Sequence, residues 1–343
     1  MATKGYSSYH GRRGGKALWY IVLTLVLLAA VGYLLAQRYV VYDEDGRPHW
    51  ELPGRQEEKP QNPVDPANVI IEQDEPAEPE PQPEPEPAPA PQRKKLPELH
   101  ASEVQYGALW WLPQYVLNGA DESIMIEVKR PNGGITYDTA VPQPKDAVVE
   151  RGVTLDNLKT ILASDHYTVA RLTCFRDTPY AVSDPDTALS LASGQLWRDA
   201  DGAAWLDPAG AGTLSYLTAL CKECADLGFD EILLDGFYYP AGDYAMGDAA
   251  PEVSLGALAD AIRAALPEKT ALSVAVRGAM GAPGSANGLT GELLGKFDRV
   301  YCDDTADAEA VQKLLPEDFD PAGGLVRLTY TKPQSGSYAL LWS

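Results

Sequence analysis

From Leu96 to Ser343 short apolar runs alternate with amphipathic stretches, and this alternation restricts the fold more than any other feature of the chain. Strands separated by helix-length connections build a parallel sheet covered by helices. Strands read at Leu99–Ser102, Ser123–Lys129, Tyr167–Phe175, Glu231–Asp235, Ala271–Val276, Arg299–Asp303, Leu325–Tyr330 and Tyr338–Trp342. The spacing predicts helices over Tyr106–Leu117, Leu155–Leu162, Thr213–Leu227, Ser254–Leu266, Leu289–Lys296 and Ala306–Leu314. That count, in roughly 250 residues, matches a (β/α)8 TIM-like barrel of the α/β class. The end departs from the pattern. Only Thr331–Ser337 separates the last two strands, and a parallel crossover takes about a dozen residues or more. The K-P-Q-S-G-S run therefore fits a hairpin; either the barrel closes irregularly or one of these strands lies outside its wall, and the expected barrel lacks its last two helices.

One strand stands out for chemistry. In Phe229–Pro240, FDEILLDGFYYP, the apolar run Ile232-Leu233-Leu234 ends on Asp235, and Phe237-Tyr238-Tyr239 follow. In parallel α/β folds ligands bind outside the carboxyl ends of the strands. An acid followed by flat rings at that end suits a sugar-processing cleft. It also suits an aspartate that caps a loop above packed aromatics.

The chain before the barrel is not globular in composition. Met1–Lys16 is polar and basic, and Ala17–Ala36 carries no charge. About 20 apolar residues are enough for one transmembrane helix. Trp19, Tyr20 and Tyr33 lie near its ends, where interfacial aromatics belong. Gln37-Arg38-Tyr39-Val40 follows in place of a small-residue cleavage site, which favours an anchor over a signal peptide. The basic flank is N-terminal, so the tail 1–16 is expected in the cytoplasm and the rest outside. Residues 37–95 read as a disordered extracellular linker rich in Pro and Glu. At about 3.1 Å per residue, its Pro76–Pro91 part spans roughly 50 Å as polyproline II. The folded domain is expected at 96–343.

Composition excludes several classes. A net charge of −21 argues against nucleic-acid binding. Cys174, Cys221, Cys224 and Cys302 are too few for a disulfide scaffold, and the Cys221/Cys224 pair falls on a helix face with no second pair. The histidines lack metal-spaced partners, so neither metal nor cofactor is expected.

Four stretches resemble a known family. They are Ile126–Tyr137 (IEVKRPNGGITY), Ala170–Pro179 (ARLTCFRDTP), Leu196–Pro208 (LWRDADGAAWLDP) and Phe229–Pro240. In this order they are similar to motifs of the glycosyl hydrolase domain family of Gram-positive bacteria, TIM-barrel relatives of the α-amylase-like glycosidases. The resemblance implies a barrel acting on glycans, with a cell-envelope or environmental polysaccharide as partner and the cell wall as a further one. Two positions depart from the family pattern. Arg130 replaces its second acid, and Phe237-Tyr238 stands where an arginine is expected.

Glycoside cleavage ordinarily needs two carboxyl groups, about 5–5.5 Å apart for retention or about 6.5–9.5 Å for inversion. Asp235 is the candidate nucleophile. The next strand, Ser273–Gly278, carries no acid, so the proton donor is sought among Glu127, Asp177, Asp303 and Asp304. Trp197, Trp205, Tyr238, Tyr239 and Trp342 are candidate stacking platforms, or staples for the long Arg176–Ala209 loop. Lys129 and Arg171 are candidate substrate contacts, or ion-pair partners of Glu127 and Asp235. A barrel without turnover that binds glycans, or serves as an envelope module, is the alternative.

Overall fold

The computed structural model describes residues 40–42, 48–50, 94–104, 123–144 and 149–341. They fall into two units, Met1–Glu84 and Pro85–Ser343. The expected transmembrane helix, most of the linker, the helix at Tyr106–Leu117 and Trp342 lie outside the described residues. Among the described residues no helix is long and apolar enough to cross a membrane.

In the first unit β1 (Val40–Tyr42) pairs antiparallel with β2 (Pro48–Trp50). This departs from the expected disordered linker. Val40, Val41 and Tyr42 are strand formers, and Asp45-Gly46 between the strands is a turn signal.

The second unit is a closed barrel of eight parallel strands. They are β3 (His100–Glu103), β4 (Ser123–Lys129), β7 (Tyr167–Thr173), β8 (Glu231–Asp235), β9 (Ala271–Val276), β10 (Arg299–Asp303), β11 (Leu325–Thr329) and β12 (Tyr338–Leu340). Each pairs with its successor, and β12 closes the ring on β3. Two short strands, β5 (Ile135–Tyr137) and β6 (Val149–Val153), extend the sheet beyond β4. The sequence did not announce them. Helices α1 (Leu155–Leu162), α2 (Thr178–Ser183), α3 (Ala211–Leu227), α4 (Pro251–Ala265), α5 (Gly291–Leu294), α6 (Ala308–Leu314) and α7 (Pro321–Gly324) join the strands. The four-residue α5 is half the length expected over Leu289–Lys296.

The expected terminal hairpin is corrected. Strands β11 and β12 run parallel, with no helix between them. The reason is barrel stagger. Tyr338, the first residue of β12, lies level with Arg327 in the middle of β11. The return therefore climbs back past only Leu328 and Thr329, and the link Tyr330–Ser337 suffices where a full-strand crossover would need more chain.

Alternation along the strands divides the barrel interior into three levels. At the amino-terminal end, Glu231 accepts from the Tyr167 and Tyr301 hydroxyls, the Ser273 hydroxyl and Arg299. Arg299 also donates to the Pro97 and Gly323 carbonyls, at 2.7 and 2.8 Å. The middle is apolar, with Met125, Val169, Leu233, Ala275 and Leu328 packed together. The carboxyl-terminal end is charged. A second, larger apolar core lies between the outer face of the sheet and the helices, and holds Cys174, Cys221 and Cys224 as free thiols.

The Glu231–Arg299 pair is fully buried, and removing one member of such a pair strands the other charge. Glu231→Gln is expected to lower unfolding stability by about 3–5 kcal/mol, measured by urea denaturation of the full chain.

Candidate functional site

The charged level begins where period-two alternation carries interior positions past the apolar layer. Two residues beyond Ala101 comes Glu103; beyond Met125, Glu127; beyond Val169, Arg171; beyond Leu233, Asp235; beyond Ala275, Arg277. Glu103 and Asp235 end β3 and β8, Arg277 follows β9, and Glu127 and Arg171 stand two residues before the ends of β4 and β7.

Arg171 is their hub. Its Nη1 donates to Asp235 Oδ2 at 2.9 Å. Its Nη2 donates to Glu127 Oε1 at 2.9 Å and to Glu103 Oε1 at 2.5 Å. Arg277 grips Asp235 from the other side, Nε to Oδ1 at 2.8 Å and Nη2 to Oδ2 at 2.5 Å. Gly236 has φ 65°, so the chain turns away directly after Asp235 in a conformation that favours glycine.

Two of the three carboxyl groups on Arg171 are pushed in opposite directions. Burial opposes ionisation of Asp235, which is 5% exposed, but the guanidiniums of Arg277 and Arg171 outweigh it and hold its carboxyl below the usual range. At Glu127 burial dominates; the negative Glu103 adds to it and Arg171 opposes, leaving the carboxyl raised.

Beside this cluster opens a cleft of about 710 Å³, lined among others by Arg171, Arg176, Arg198, Asp199, Asp235 and Arg277. One of its walls is the 176–209 loop. Backbone bridges order that loop, joining Arg176 to Trp205, Ala188 to Leu206, Ser190 to Leu196 and Arg198 to Ala204. Asp199 locks it further, accepting from Arg176 Nε at 2.7 Å and from the Trp205 indole at 2.9 Å. These donors hold Asp199 below the ordinary carboxylate range against a burial effect that would raise it.

The candidate residues divide between the cleft and the protein interior. Asp235, Arg171, Trp197, Trp205 and Tyr238 line the cleft. Trp197 and Trp205 are only 8% and 5% exposed, and pack edge to face on each other. Gly242 lies against Trp197 so closely that a Cβ there would meet its ring at 2.4 Å. Tyr239 is buried, whereas Tyr238 is half-buried against Trp205. Asp303 uses one oxygen to accept from the Gly278, Thr305 and Ala306 amides, which caps the loop after β10. Asp304 bonds Arg327 and Thr329.

Lys129 and Asp177 lie elsewhere, and a β-bulge explains why. The register of β4 shifts between Glu127 and Lys129, so Glu127 stands level with Arg171 but Lys129 with Leu172. That extra residue turns Lys129 to the outer face. There it is fully buried, 3.0 Å from Asp177 and beneath the Tyr216 ring of α3. Asp177 also caps α2 through the Tyr180 amide. The pairing of Lys129 with Glu127 or Asp235 that the sequence left open is thus corrected. Asp177 pairs with Lys129, while its neighbour Arg176 pairs with Asp199 and Asp201. Glu103, Arg277, Arg198 and Asp199 were not singled out from the sequence. Alternation extended by one step would have found the first two.

Among the described residues no cluster of His, Cys, Asp and Glu is arranged to hold a metal ion.

Residues 114–269 match the model of a family described as "Putative glycosyl hydrolase domain". No curated protein matches the chain. Among solved structures it is similar to a hypothetical protein from Ruminiclostridium thermocellum, with 25% identity, TM-score 0.40, and coverage of 47% of this chain and 87% of that one. It is also similar to a family 36 α-galactosidase from Geobacillus stearothermophilus in complex with stachyose, with 11% identity, TM-score 0.47, and coverage of 72% and 39%. An α-galactosidase from Thermus thermophilus matches at 18% identity, TM-score 0.38, covering 53% and 39%. The chain thus spans about two fifths of the α-galactosidases it matches.

Asp235 contributes to the acid limb of stability. Its folded pKa is depressed, so its contribution is present above the unfolded value of about 3.9 and is lost as pH falls through the lower folded value. Asp235→Asn is expected to reduce the melting temperature at neutral pH and to flatten its fall below about pH 4, measured by thermal unfolding from pH 2 to 7.

Proposed function

We propose that the barrel is a glycoside hydrolase-like module whose cleft takes a polysaccharide. One observation carries this reading: Asp235 and Glu127 rest on adjacent nitrogens of one guanidinium beside the cleft, with their ionisation pushed apart. Carboxyl groups driven in opposite directions are the usual basis for dividing acid and base roles between two like residues. Asp235, held ionised, acts as nucleophile or as the carboxylate that stabilises a developing oxocarbenium ion. Glu127, raised and partly exposed, acts as proton donor to the leaving oxygen. Tyr238 offers the half-exposed ring for a sugar face. The match to the glycosyl hydrolase domain family supports the same reaction class.

The sequence supports a setting for this activity. An uncharged Ala17–Ala36 with a basic N-terminal flank would tether the chain to the membrane, with the barrel outside. The proline-rich stretch after it would hold the barrel away from the bilayer, towards a cell-envelope polysaccharide.

A second reading, a glycan-binding barrel without turnover, is favoured by the saturation of Asp235. Both its oxygens already accept from arginine.

The test is hydrolysis by the full chain over a panel of polysaccharides and peptidoglycan fragments, beside Glu127→Gln and Asp235→Asn, with circular dichroism confirming that each variant folds. The expected result is turnover whose kcat falls about 10²–10⁴-fold in Glu127→Gln. A proton donor works only while protonated, so wild-type activity should fall as pH rises through the raised Glu127 pKa. That limb should vanish in the variant. Glycan binding without turnover in all three proteins would select the second reading.

A further inference from the structure

Hydrogen-bond donors and acceptors in the cleft are unevenly used, and the imbalance deepens the glycan reading on which it rests. The lining carries four arginines, Arg171, Arg176, Arg198 and Arg277, and three aspartates, Asp199, Asp201 and Asp235, with Glu103 and Glu127 on Arg171 beside it. Arg171 has both terminal nitrogens on carboxylates. Arg176 is shared between Asp199 and Asp201. Arg277 spends Nε and Nη2 on Asp235, and its Nη1 has no partner among the described residues. Arg198 is exposed, donates from Nη1 to the Gly202 carbonyl at 2.7 Å, and meets no carboxylate among the described residues.

The acceptors are in the opposite condition. Asp235 takes three arginine bonds. Asp199 takes Arg176 and the Trp205 indole on one oxygen, and the Asp201 and Ala203 amides on the other. Asp201 is largely exposed but is already drawn to Arg176. The cleft therefore keeps spare cationic donors and few spare anionic acceptors, in a chain whose net charge is −21. A ligand that completes this arrangement brings negative oxygens.

The geometry points to a saccharide that bears a carboxylate, with Arg198 at the solvent side of the cleft and Arg277 Nη1 deeper in it as the groups that receive the charge. A planar guanidinium matches a carboxylate through two parallel hydrogen bonds, which an ammonium does not. Arg198 is then the specificity-determining residue. Its neighbours on either side, Trp197 and Asp199, are already fixed in the loop, so the backbone that presents it is ordered.

The experiment is isothermal titration calorimetry of the full chain with trigalacturonate and with the neutral galactotriose, repeated on Arg198→Gln and Arg198→Lys. Trigalacturonate is expected to bind the unaltered chain at least about tenfold more tightly than galactotriose. Arg198→Gln should remove most of that preference, with Arg198→Lys in between. Equal binding of both sugars, unaffected by Arg198→Gln, would overturn the inference and leave the glycan cleft standing. Binding of neither sugar, with a glycan from the panel above bound or cleaved, would overturn it for this ligand class. Binding of no saccharide at all would overturn the glycan reading and this inference together.

Discussion

The site is organised by a single guanidinium. Arg171 rises from the middle of β7 into a space that three carboxylates from other strands also enter, and no other described cation reaches all three. Without it, Glu103, Glu127 and Asp235 would face one another at close range in a poorly solvated space, where like charges cannot all remain ionised. With it, the charges are divided unequally. Asp235 has Arg277 on both oxygens and stays ionised; Glu127 shares its Arg171 nitrogen with Glu103 and has Arg130 Nε only at 3.3 Å. The split between the two carboxyl groups thus follows from burial, which the guanidiniums outweigh at Asp235 but not at Glu127.

That arrangement depends on strand register. A β-strand offers alternate residues to the barrel interior, so each pairing decides which side chains enter the upper level. The bulge in β4 shows the consequence at one residue. Glu127 remains inside and reaches Arg171, while Lys129, two positions later, is turned under α3 and neutralises Asp177. Had β4 continued without the bulge, Lys129 would have entered the interior as a further cation beside Arg171 and Arg277, and Asp177 would have been left buried with no charge partner.

Much of the barrel was legible because strands β4, β8, β9 and β10 are short apolar runs with unambiguous ends. Asp235 was legible for the same reason: it is the first acid after such a run. The hub was legible in part, since Arg171 lies within a clear strand and its pairing with Glu127 and Asp235 was one of the readings open to it. Arg277 was hidden by position. It stands after β9, in a glycine-rich stretch that reads as loop, and only the adjacency of β8 and β9 brings it to Asp235. Lys129 and Asp177 were misplaced because a bulge leaves no mark that alternation can detect. The parallel β11–β12 return was misread because loop length was judged against a full strand, whereas stagger shortens the climb to the two residues between Arg327 and the strand end.

The absence of an acid at the end of β9 bears on the chemistry as well as on the fold. Where a second carboxylate would make a pair directly beside Asp235, the chain carries Arg277, and its bonds to both oxygens of Asp235 lower that residue's basicity. A carboxylate so held is a weaker nucleophile and a stronger electrostatic anchor. For attack on a sugar carbon, one of these bonds would have to lengthen as substrate enters. For recognition alone, none need move. The same two arginines that keep Asp235 ionised therefore set the barrier between a cleft that cleaves a glycan and one that only holds it, and Arg277, with one nitrogen on the open side, is the arginine that a bound ligand can draw away.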